Sequence, residues 1–275
     1  MNKKIKVILA LLFAGFSFYY TYKVSDIIKN NDPIMSEIRN KEKDIVVSKI
    51  ESTVFDDEYL TGLNGCIIDE KNSYDKMKKN GHYNEELLVM KEDEINKNSD
   101  KYIIGGNKEK RNVSIILLEN NESIEMFIKK NNIKIDYFLD GEYLSINAPK
   151  LIDINKYVNI YNYGRNGTYN KKYMVYDNAI INNNFSNESK YCLVTKKEKS
   201  ILDLCTAYGM NTIKAALIKD DVLSTVKQEL TNGKIFLIDN KNSDELKYSI
   251  KYILSKGYNI VHLEELLSTK KECNN

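Results

Sequence analysis

Histidine, the side chain most often used in acid–base catalysis and metal binding, occurs at only two positions of this 275-residue chain, His82 and His262. A metal site built from imidazoles would need both of them. His82 lies beside Gly81 in a polar stretch, and His262 follows the last apolar run of the chain. We predict that neither histidine binds a metal, and that His262 begins a helix or packs where it stands, after the last strand.

Carboxylates cluster at Asp56, Asp57 and Glu58, directly after the apolar residues Val54 and Phe55. Carboxylates can serve as a general base or as metal ligands. This cluster, however, lies upstream of the region in which strands and helices alternate, and no second strand stands behind it. We therefore predict that these carboxylates form a solvated turn.

The four cysteines are Cys66, Cys192, Cys205 and Cys273, and no two of them have the Cys-x-x-Cys spacing. A zinc ribbon or a redox motif therefore has no support. Cys192 and Cys205 have 12 residues between them and could close a strand–helix corner as a disulfide. Unpaired buried thiols fit the sequence equally well.

The balance of charge excludes one large class of function. Lys and Arg number 41 and Asp and Glu number 39, which gives a net charge of +2, whereas a nucleic-acid-binding domain is strongly basic. A hydrophobic content of 42% with 20 tyrosines is enough for a packed core. We predict a folded chain of one or two domains that does not bind nucleic acid.

The N-terminus carries lysines at positions 3, 4 and 6, followed by an uncharged run, Val7–Tyr22, that ends at Lys23. A basic segment before a short apolar run is typical of an export signal, and the positive-inside rule places the following chain outside the membrane. The cleavage-like pattern lies inside the run rather than after it. We predict an uncleaved signal anchor over residues 1–23, a single-pass location at the cell membrane with the bulk of the chain extracytoplasmic, and an oxidising environment for the cysteines.

The chain after the predicted anchor divides by composition. Residues 24–45 are polar and charged and are predicted to form a stalk, residues 46–100 a small N-terminal unit, and residues 101–111 a linker that contains Gly105 and Gly106. From residue 112 to residue 270, apolar runs of strand type alternate with helical stretches. This alternation predicts a parallel α/β sheet or barrel.

The alternation rests on a few strong signals. Val113–Leu118 and Ile235–Ile238 are continuous apolar runs typical of buried strands, and apolar residues alternate strictly from Ile133 to Leu139. Three helical stretches end at a glycine, which readily takes the left-handed conformation at a helix C-terminus. These glycines are Gly209, Gly233 and Gly257.

Four passages of this region follow one another in a recognisable order: Val113–Asn120, Ile135–Gly141, Asn232–Asp239 and Tyr252–Val261. They resemble, in turn, the strand ending in the Thr-Phe-Asp-Asp-Gly motif, the second strand, the late Gly-x-Ile-x-Leu-x-His strand, and the last helix and strand of the polysaccharide deacetylase family. This family is the NodB homology domain of carbohydrate esterases. The resemblance covers about residues 112–267 and implies a trimmed, distorted parallel (β/α) barrel.

The resemblance also implies a divalent metal such as zinc, held by one Asp and two His, with a second Asp as base and a late His as acid. In this chain the base position is Leu118 and the metal Asp position is Glu119. The two His positions are Tyr163 and Gly167, and the acid position is Asp239. Because no imidazole remains and two carboxylates are too few ligands for a transition metal, we predict no metal cofactor and impaired catalysis.

The favoured hypothesis is a membrane-anchored, extracytoplasmic polysaccharide deacetylase-like protein that is catalytically impaired and binds cell-wall glycan or acts as a scaffold. Tyr161, Tyr163 and Tyr169 would then stack on sugar rings in the former cleft. The same tyrosines could equally fill a core that has lost its metal ligands.

Two other functions fit the sequence. The first is an active carbohydrate N-deacetylase with rearranged ligands, in which Glu119 and Asp239 are joined by a carboxylate such as Asp140. The second is a protein-interaction module of the cell envelope that uses residues 46–100.

Overall fold

A computed structural model of the chain describes residues 3–239 and 243–273. The chain forms two compact units. Unit 1 consists of residues 1–49, 64–94 and 271–275, and unit 2 consists of residues 50–63 and 95–270. The predicted small N-terminal unit, residues 46–100, is thus divided between the two.

Short strands alternate with helices along most of the chain. The strands are β1 (Thr53–Phe55), β2 (Glu58–Leu60), β3 (Gly65–Ile68), β4 (Met90–Asp93), β5 (Tyr102–Gly105), β6 (Asn112–Leu117), β7 (Ile135–Leu139), β8 (Val158–Asn162), β9 (Tyr191–Val194), β10 (Asn211–Lys214), β11 (Leu217–Ile218), β12 (Ile235–Ile238) and β13 (Asn259–Ile260). The α-helices are α1 (Lys3–Asn30), α2 (Pro33–Ile45), α3 (Glu70–Asn80), α4 (Glu122–Asn131), α5 (Gly141–Leu151), α6 (Lys171–Asn184), α7 (Lys199–Ala207), α8 (Val222–Glu229), α9 (Ser243–Ser255) and α10 (Leu263–Leu267).

Unit 1 has a core of its own, and α2 supplies much of it. The helix begins after Asp32, whose side chain accepts a hydrogen bond from the Ile34 N–H, with proline at the first helical position. Ile34 and Ile38 are one helical turn apart and are buried with Met77 of α3. The segment predicted to be a stalk is therefore partly a packed helix, because its isoleucines share one face.

The predicted anchor falls on the first part of α1. From Leu11 to Tyr22 the large apolar side chains of this helix are exposed. Within residues 3–239 and 243–273, no helix combines the length and the apolar content that a membrane span requires.

A disulfide that the sequence analysis does not predict joins Cys66 of β3 to Cys273 near the C-terminus, with Cα atoms 5.6 Å apart. Beside it, the Lys271 N–H donates a hydrogen bond to Glu92 Oε1 at 3.1 Å. These bonds make residues 271–273 part of unit 1.

Unit 2 contains two sheets in which most neighbouring strands are parallel. One has the order β11-β12-β6-β7-β8, with β13 also paired to β6, and every pair is parallel. The other has the order β1-β2-β5-β10-β9, in which only β1 and β2 are antiparallel. The predicted parallel α/β arrangement is confirmed, and Val113 and Ile235 lie on adjacent strands of one sheet. The described strands do not form one closed hydrogen-bonded ring, so the barrel itself stays a prediction.

Segments predicted to lie outside the α/β region contribute to the second sheet. Residues 101–111, predicted as a linker, contain β5, and the β1–β2 hairpin precedes them. The turn of that hairpin holds Asp56, which is exposed as predicted, and Asp57, which is partly buried and forms an ion pair with Lys197. The neighbouring Glu58 is partly buried and forms an ion pair with Lys214 at 2.7 Å. These strands are only three or four residues long, so they give little pattern in the sequence.

Cys192 of β9 and Cys205 of α7 form a disulfide. Both cysteines are fully buried among apolar residues of unit 2. Of the two alternatives left by the sequence, the bonded one is therefore present.

Candidate functional site

The carboxyl ends of β6, β7 and β8 meet at one edge of their sheet. The register places Leu117 opposite Tyr137 and Leu139 opposite Asn162. The residues that follow these strands therefore lie side by side, at the edge where open parallel sheets commonly bind ligands.

A depression of about 440 Å³ lies at this edge. Its described lining contains apolar, aromatic, amide and carboxylate groups, a mixture typical of a site for a small polar ligand. The lining residues are Leu118, Glu119, Asn120, Leu139, Asp140, Tyr143, Tyr163, Asn166 and Gly167.

The structure brings together four of the five positions that the family resemblance singles out. Leu118, Glu119, Tyr163 and Gly167 all line the depression. Asp239 follows β12 at the same edge, and its backbone N–H donates to the Ile218 carbonyl at 2.9 Å. Within the described residues it lies outside the lining.

The loop after β8 gives one wall of the depression its shape. The Tyr163 N–H donates to the Leu139 carbonyl at 2.9 Å, and Arg165 and Thr168 exchange backbone hydrogen bonds across the turn. Gly167 has a φ of +71°, and a Cβ added there would lie 3.3 Å from Cε1 of Tyr163. The tyrosine ring therefore lies against the bare backbone of Gly167, and the two residues are complementary in shape.

Asp140 holds the floor of the depression to this loop. Its Oδ1 accepts hydrogen bonds from the N–H groups of Glu142 and Tyr143 at 2.8 and 3.4 Å, and so caps α5. Its Oδ2 accepts the Asn166 N–H at 2.6 Å. Both carboxylate oxygens thus accept hydrogen bonds from the backbone. These bonds count against the hypothesis that Asp140 is a replacement metal ligand.

The residues at the family's catalytic positions do not fit a divalent transition metal. Leu118 and Gly167 have no donor atom, and burial raises the pKa of the Tyr163 phenol, so it stays protonated at neutral pH. Glu119 contributes one exposed carboxylate. In the part of the chain that the structure describes, no three His, Cys, Asp or Glu side chains are grouped to hold a metal ion.

Two of the three tyrosines proposed to stack on sugars do not reach the depression. Tyr161 is fully buried, with its ring centroid 5.0 Å from that of Phe138 and 5.5 Å from that of Tyr191. The Tyr169 hydroxyl donates to the Asn162 carbonyl at 2.9 Å and accepts a core N–H. For these two the cleft assignment is wrong, because their rings fill the core, whereas Tyr163 is half-buried and lines the depression.

Sequence reasoning missed another tyrosine of the site. Tyr143 lies in the first turn of α5, and its hydroxyl donates to Asn120 Oδ1 at 2.8 Å. Its ring is half-buried in the lining. The signal in the sequence was its place three residues after Asp140, at the start of a helix that follows a strand.

Neither histidine contributes to the depression. His82 is exposed in unit 1. His262 directly precedes α10, as predicted, and its Nδ1 lies 3.1 Å from Oδ1 of the fully buried Asp136. Asp136 Oδ2 also accepts the Leu263 N–H at 2.6 Å and the Ser114 hydroxyl at 3.1 Å. Removal from water raises the pKa of Asp136, and these hydrogen bonds oppose that shift.

Comparison with known proteins shows relationships at the level of structure. No family model and no curated protein sequence matches the chain. BA3943 of Bacillus anthracis, a CE4 family pseudoenzyme, is similar with a TM-score of 0.59 and 20% identity over 88% of this chain and 97% of that one. A mutant of BA3943 gives a TM-score of 0.61 at 19% identity, over 88% and 100% of the two chains. The peptidoglycan N-acetylglucosamine deacetylase Bc1960 gives 0.54 at 17% identity, over 62% and 95%.

Proposed function

Since the chain has a divergent polysaccharide deacetylase-like fold, shared with CE4 carbohydrate esterases, we propose that it binds cell-wall glycan without deacetylating it. The depression at the carboxyl ends of β6, β7 and β8 is the binding site. Bc1960 acts on peptidoglycan N-acetylglucosamine and BA3943 is a pseudoenzyme. The proposal takes the class of ligand from the first and the lack of turnover from the second.

One observation carries the proposal. The depression is present, but the residues at the family's catalytic positions supply neither its general base nor its metal ligands. Leu118 cannot accept a proton from water, and Tyr163 with Gly167 offers no metal ligand at neutral pH. A general acid or base is typically worth about 10²–10⁴ in rate, and the activated water of such enzymes depends on the metal as well. A site without these groups can still bind a sugar.

The lining suits a neutral sugar. Tyr143 and Tyr163 offer half-buried rings, and the amides of Asn120 and Asn166 offer donors and acceptors for hydroxyl and acetamide groups. Apolar walls with a few oriented polar groups are the usual construction of small-ligand sites.

Two further features support a location outside the cytoplasm at a membrane. Both disulfides, Cys66–Cys273 and Cys192–Cys205, are of the kind kept in oxidising compartments. The exposed apolar side chains of α1, such as Phe13 and Phe16, would be covered in a bilayer interface.

Membrane fractionation tests this location. We expect the full chain to stay in a carbonate-washed membrane fraction, with its C-terminus open to protease from outside. Release into the medium would contradict the anchor.

The two sheets of unit 2 also support the finer prediction of a trimmed, distorted barrel. β10 belongs to one sheet and β11 to the other, and two residues separate them. The chain therefore passes directly from sheet to sheet at this point. An experimental structure with one continuous curved sheet would agree, and two sheets packed face to face would not.

The binding proposal is tested by titrating N-acetylglucosamine oligomers into the full chain and following heat or fluorescence. We expect saturable binding, weakened about fivefold by Tyr163→Ala, since an aromatic contact of this size is worth about 1 kcal/mol. Tyr248→Ala is the matched control, because Tyr248 is an exposed tyrosine of α9. Absence of binding, or equal loss in both variants, would overturn the proposal.

A further inference from the structure

We propose that Tyr173, on α6, is a second sugar-stacking position that extends the depression to another residue of the same glycan chain. The inference rests on the proposed function and adds a second subsite to it. It is carried by the way in which Tyr173 is held, by its exposure, and by its connection to the depression through one loop.

Tyr173 is held in place by a stacked arginine. The Arg165 guanidinium carbon lies 3.9 Å from the centroid of the Tyr173 ring. Arg165 is itself fixed, because its Nη2 donates to Asp177 Oδ1 at 3.2 Å. The Asp177 side chain is 1% exposed, whereas that of Arg165 is 28% exposed. A buried carboxylate thus orients a partly exposed arginine, and the arginine orients a surface tyrosine.

The fold makes room for this carboxylate at a specific point. A Cβ added to Gly141 would lie 2.0 Å from Asp177 Oδ2, so the carboxylate fits only because residue 141 is glycine. A buried ion pair of this kind contributes little to stability on balance, since the cost of desolvation offsets the attraction. Its consequence at the surface is a preorganised ring, which lowers the entropy lost when a ligand binds.

Tyr173 connects to the depression through its partner. Arg165 directly precedes Asn166, which lines the depression and whose N–H donates to Asp140. The same loop therefore forms a wall of the depression and supports the Tyr173 ring. Tyr173 keeps 40% of its surface exposed although Arg165 covers part of it, and Lys172 Nζ lies farther away, 5.6 Å from the centroid.

A repeating polysaccharide suits this arrangement better than a single sugar does. Sugar rings present apolar C–H faces, and an oligomer offers such a face again at each residue. An aromatic side chain near the first site can therefore bind a residue farther along the glycan, beyond the reach of a dimer, with no further polar group. Tyr176, one helical turn from Tyr173 and 57% exposed, lies on the same helix face.

The experiment compares N-acetylglucosamine dimers with hexamers, titrated into the full chain. For the wild type we expect the hexamer to bind about tenfold more tightly, which corresponds to about 1.4 kcal/mol. Tyr173→Ala should remove this gain and leave the dimer affinity unchanged, whereas Tyr173→Phe should keep the gain, because stacking needs the ring and not the hydroxyl. Arg165→Gln should reduce the gain through loss of orientation.

The control is Tyr248→Ala, since Tyr248 also lies near a lysine, Lys251, with the Nζ 5.8 Å from its ring centroid. It should leave both affinities unchanged. A wild type that binds neither oligomer would overturn the proposed function together with this inference. Binding without a length-dependent gain, or a gain that survives Tyr173→Ala, would overturn the inference alone. A change in self-association with an intact gain would assign the surface to a second copy of the chain and would also overturn it.

Discussion

The two ends of the parallel strands in unit 2 carry opposite kinds of chemistry. Nearer the amino ends, Asp136 on β7 accepts hydrogen bonds from Ser114 on β6 and from the Leu263 N–H, and lies beside His262. At the carboxyl ends, where ligands usually bind, the prominent residues are Leu118 and Tyr163. This acid–base pair is therefore structural, and the described residues that line the depression include no such pair.

The position of a titratable pair in the fold therefore determines whether the pair stabilises the structure or serves a binding site. Asp136 is fully buried, and its carboxylate holds the first N–H group of α10, so the pair fixes a helix to the sheet. In parallel α/β folds, residues at the amino ends of the strands usually contribute to stability, and residues at the carboxyl ends bind ligands. The presence of His262 alone would suggest acid–base chemistry at the amino ends of the strands, whereas the depression lies at the carboxyl ends.

The largest expected effect comes from breaking the amino-end pair. Asp136→Ala should lower the free energy of unfolding by about 3–5 kcal/mol, because it leaves His262 and the Leu263 N–H without their buried partner. Glu119→Ala, at the carboxyl end, removes an exposed carboxylate and should cost less than about 1 kcal/mol. Denaturant unfolding of both variants measures the difference. Similar losses would mean that the two ends do not differ as described.

The next effect concerns the complementarity of Gly167 and Tyr163. Gly167→Ala should destabilise the protein by about 1–2 kcal/mol from the left-handed backbone alone, and by more because its Cβ meets the Tyr163 ring at 3.3 Å. Gly209→Ala is the control, since Gly209 has a φ of +70° and open space around its Cβ position. Equal losses in the two variants would show that the ring contact contributes nothing.

The left-handed backbone at Gly167 predicts the outcome of rebuilding the family's ligands. In a chain with Leu118→Asp, Glu119→Asp and Tyr163→His, the further change Gly167→His should be poorly tolerated, because the backbone there is left-handed. We expect a lower melting temperature and no tight metal binding. Stoichiometric zinc binding by a stable quadruple variant would contradict this account of the loop.

The smallest expected effect is a pH dependence at the amino end. Burial raises the pKa of Asp136 above its ordinary value of 3.8, so the folded state binds its proton more readily than the unfolded state. The corresponding stability is present at low pH and is lost as the pH rises through the raised value. The advantage of the wild type over Asp136→Asn should therefore shrink as the pH increases above 3.8. An advantage that grows with pH would contradict the direction of the shift.

Much of the unit 2 sheet could be predicted from the sequence. Continuous apolar runs such as Val113–Leu118 and Ile235–Ile238 are typical of strands that are buried on both faces of a parallel sheet. The disulfide Cys192–Cys205 was one of two open alternatives. By contrast, β1, β2 and β5 are too short to give a periodic pattern, so the residues now seen to join the second sheet were predicted as a separate unit and a linker.

The site was predicted only in part, for physical reasons. Alternation along β8 tells which side chains share a face, but not whether that face meets solvent, so Tyr161 could not be distinguished from Tyr163. The pair of Asp136 and His262 joins residues far apart in sequence, and only tertiary structure brings them together. Tyr143 was missed because its role depends on the neighbouring strand end at Asn120.

The most direct test of the central claim is a combined metal titration and acetate-release assay on the full chain, with N-acetylglucosamine oligomers as substrate. The account predicts that the wild type binds the oligomers, takes up no stoichiometric zinc, cobalt or nickel, and releases no acetate, and that Glu119→Ala and Asp239→Ala change neither result. Tight one-to-one metal binding, with acetate release abolished by either substitution, would show a rebuilt active site at the carboxyl ends and would contradict the account.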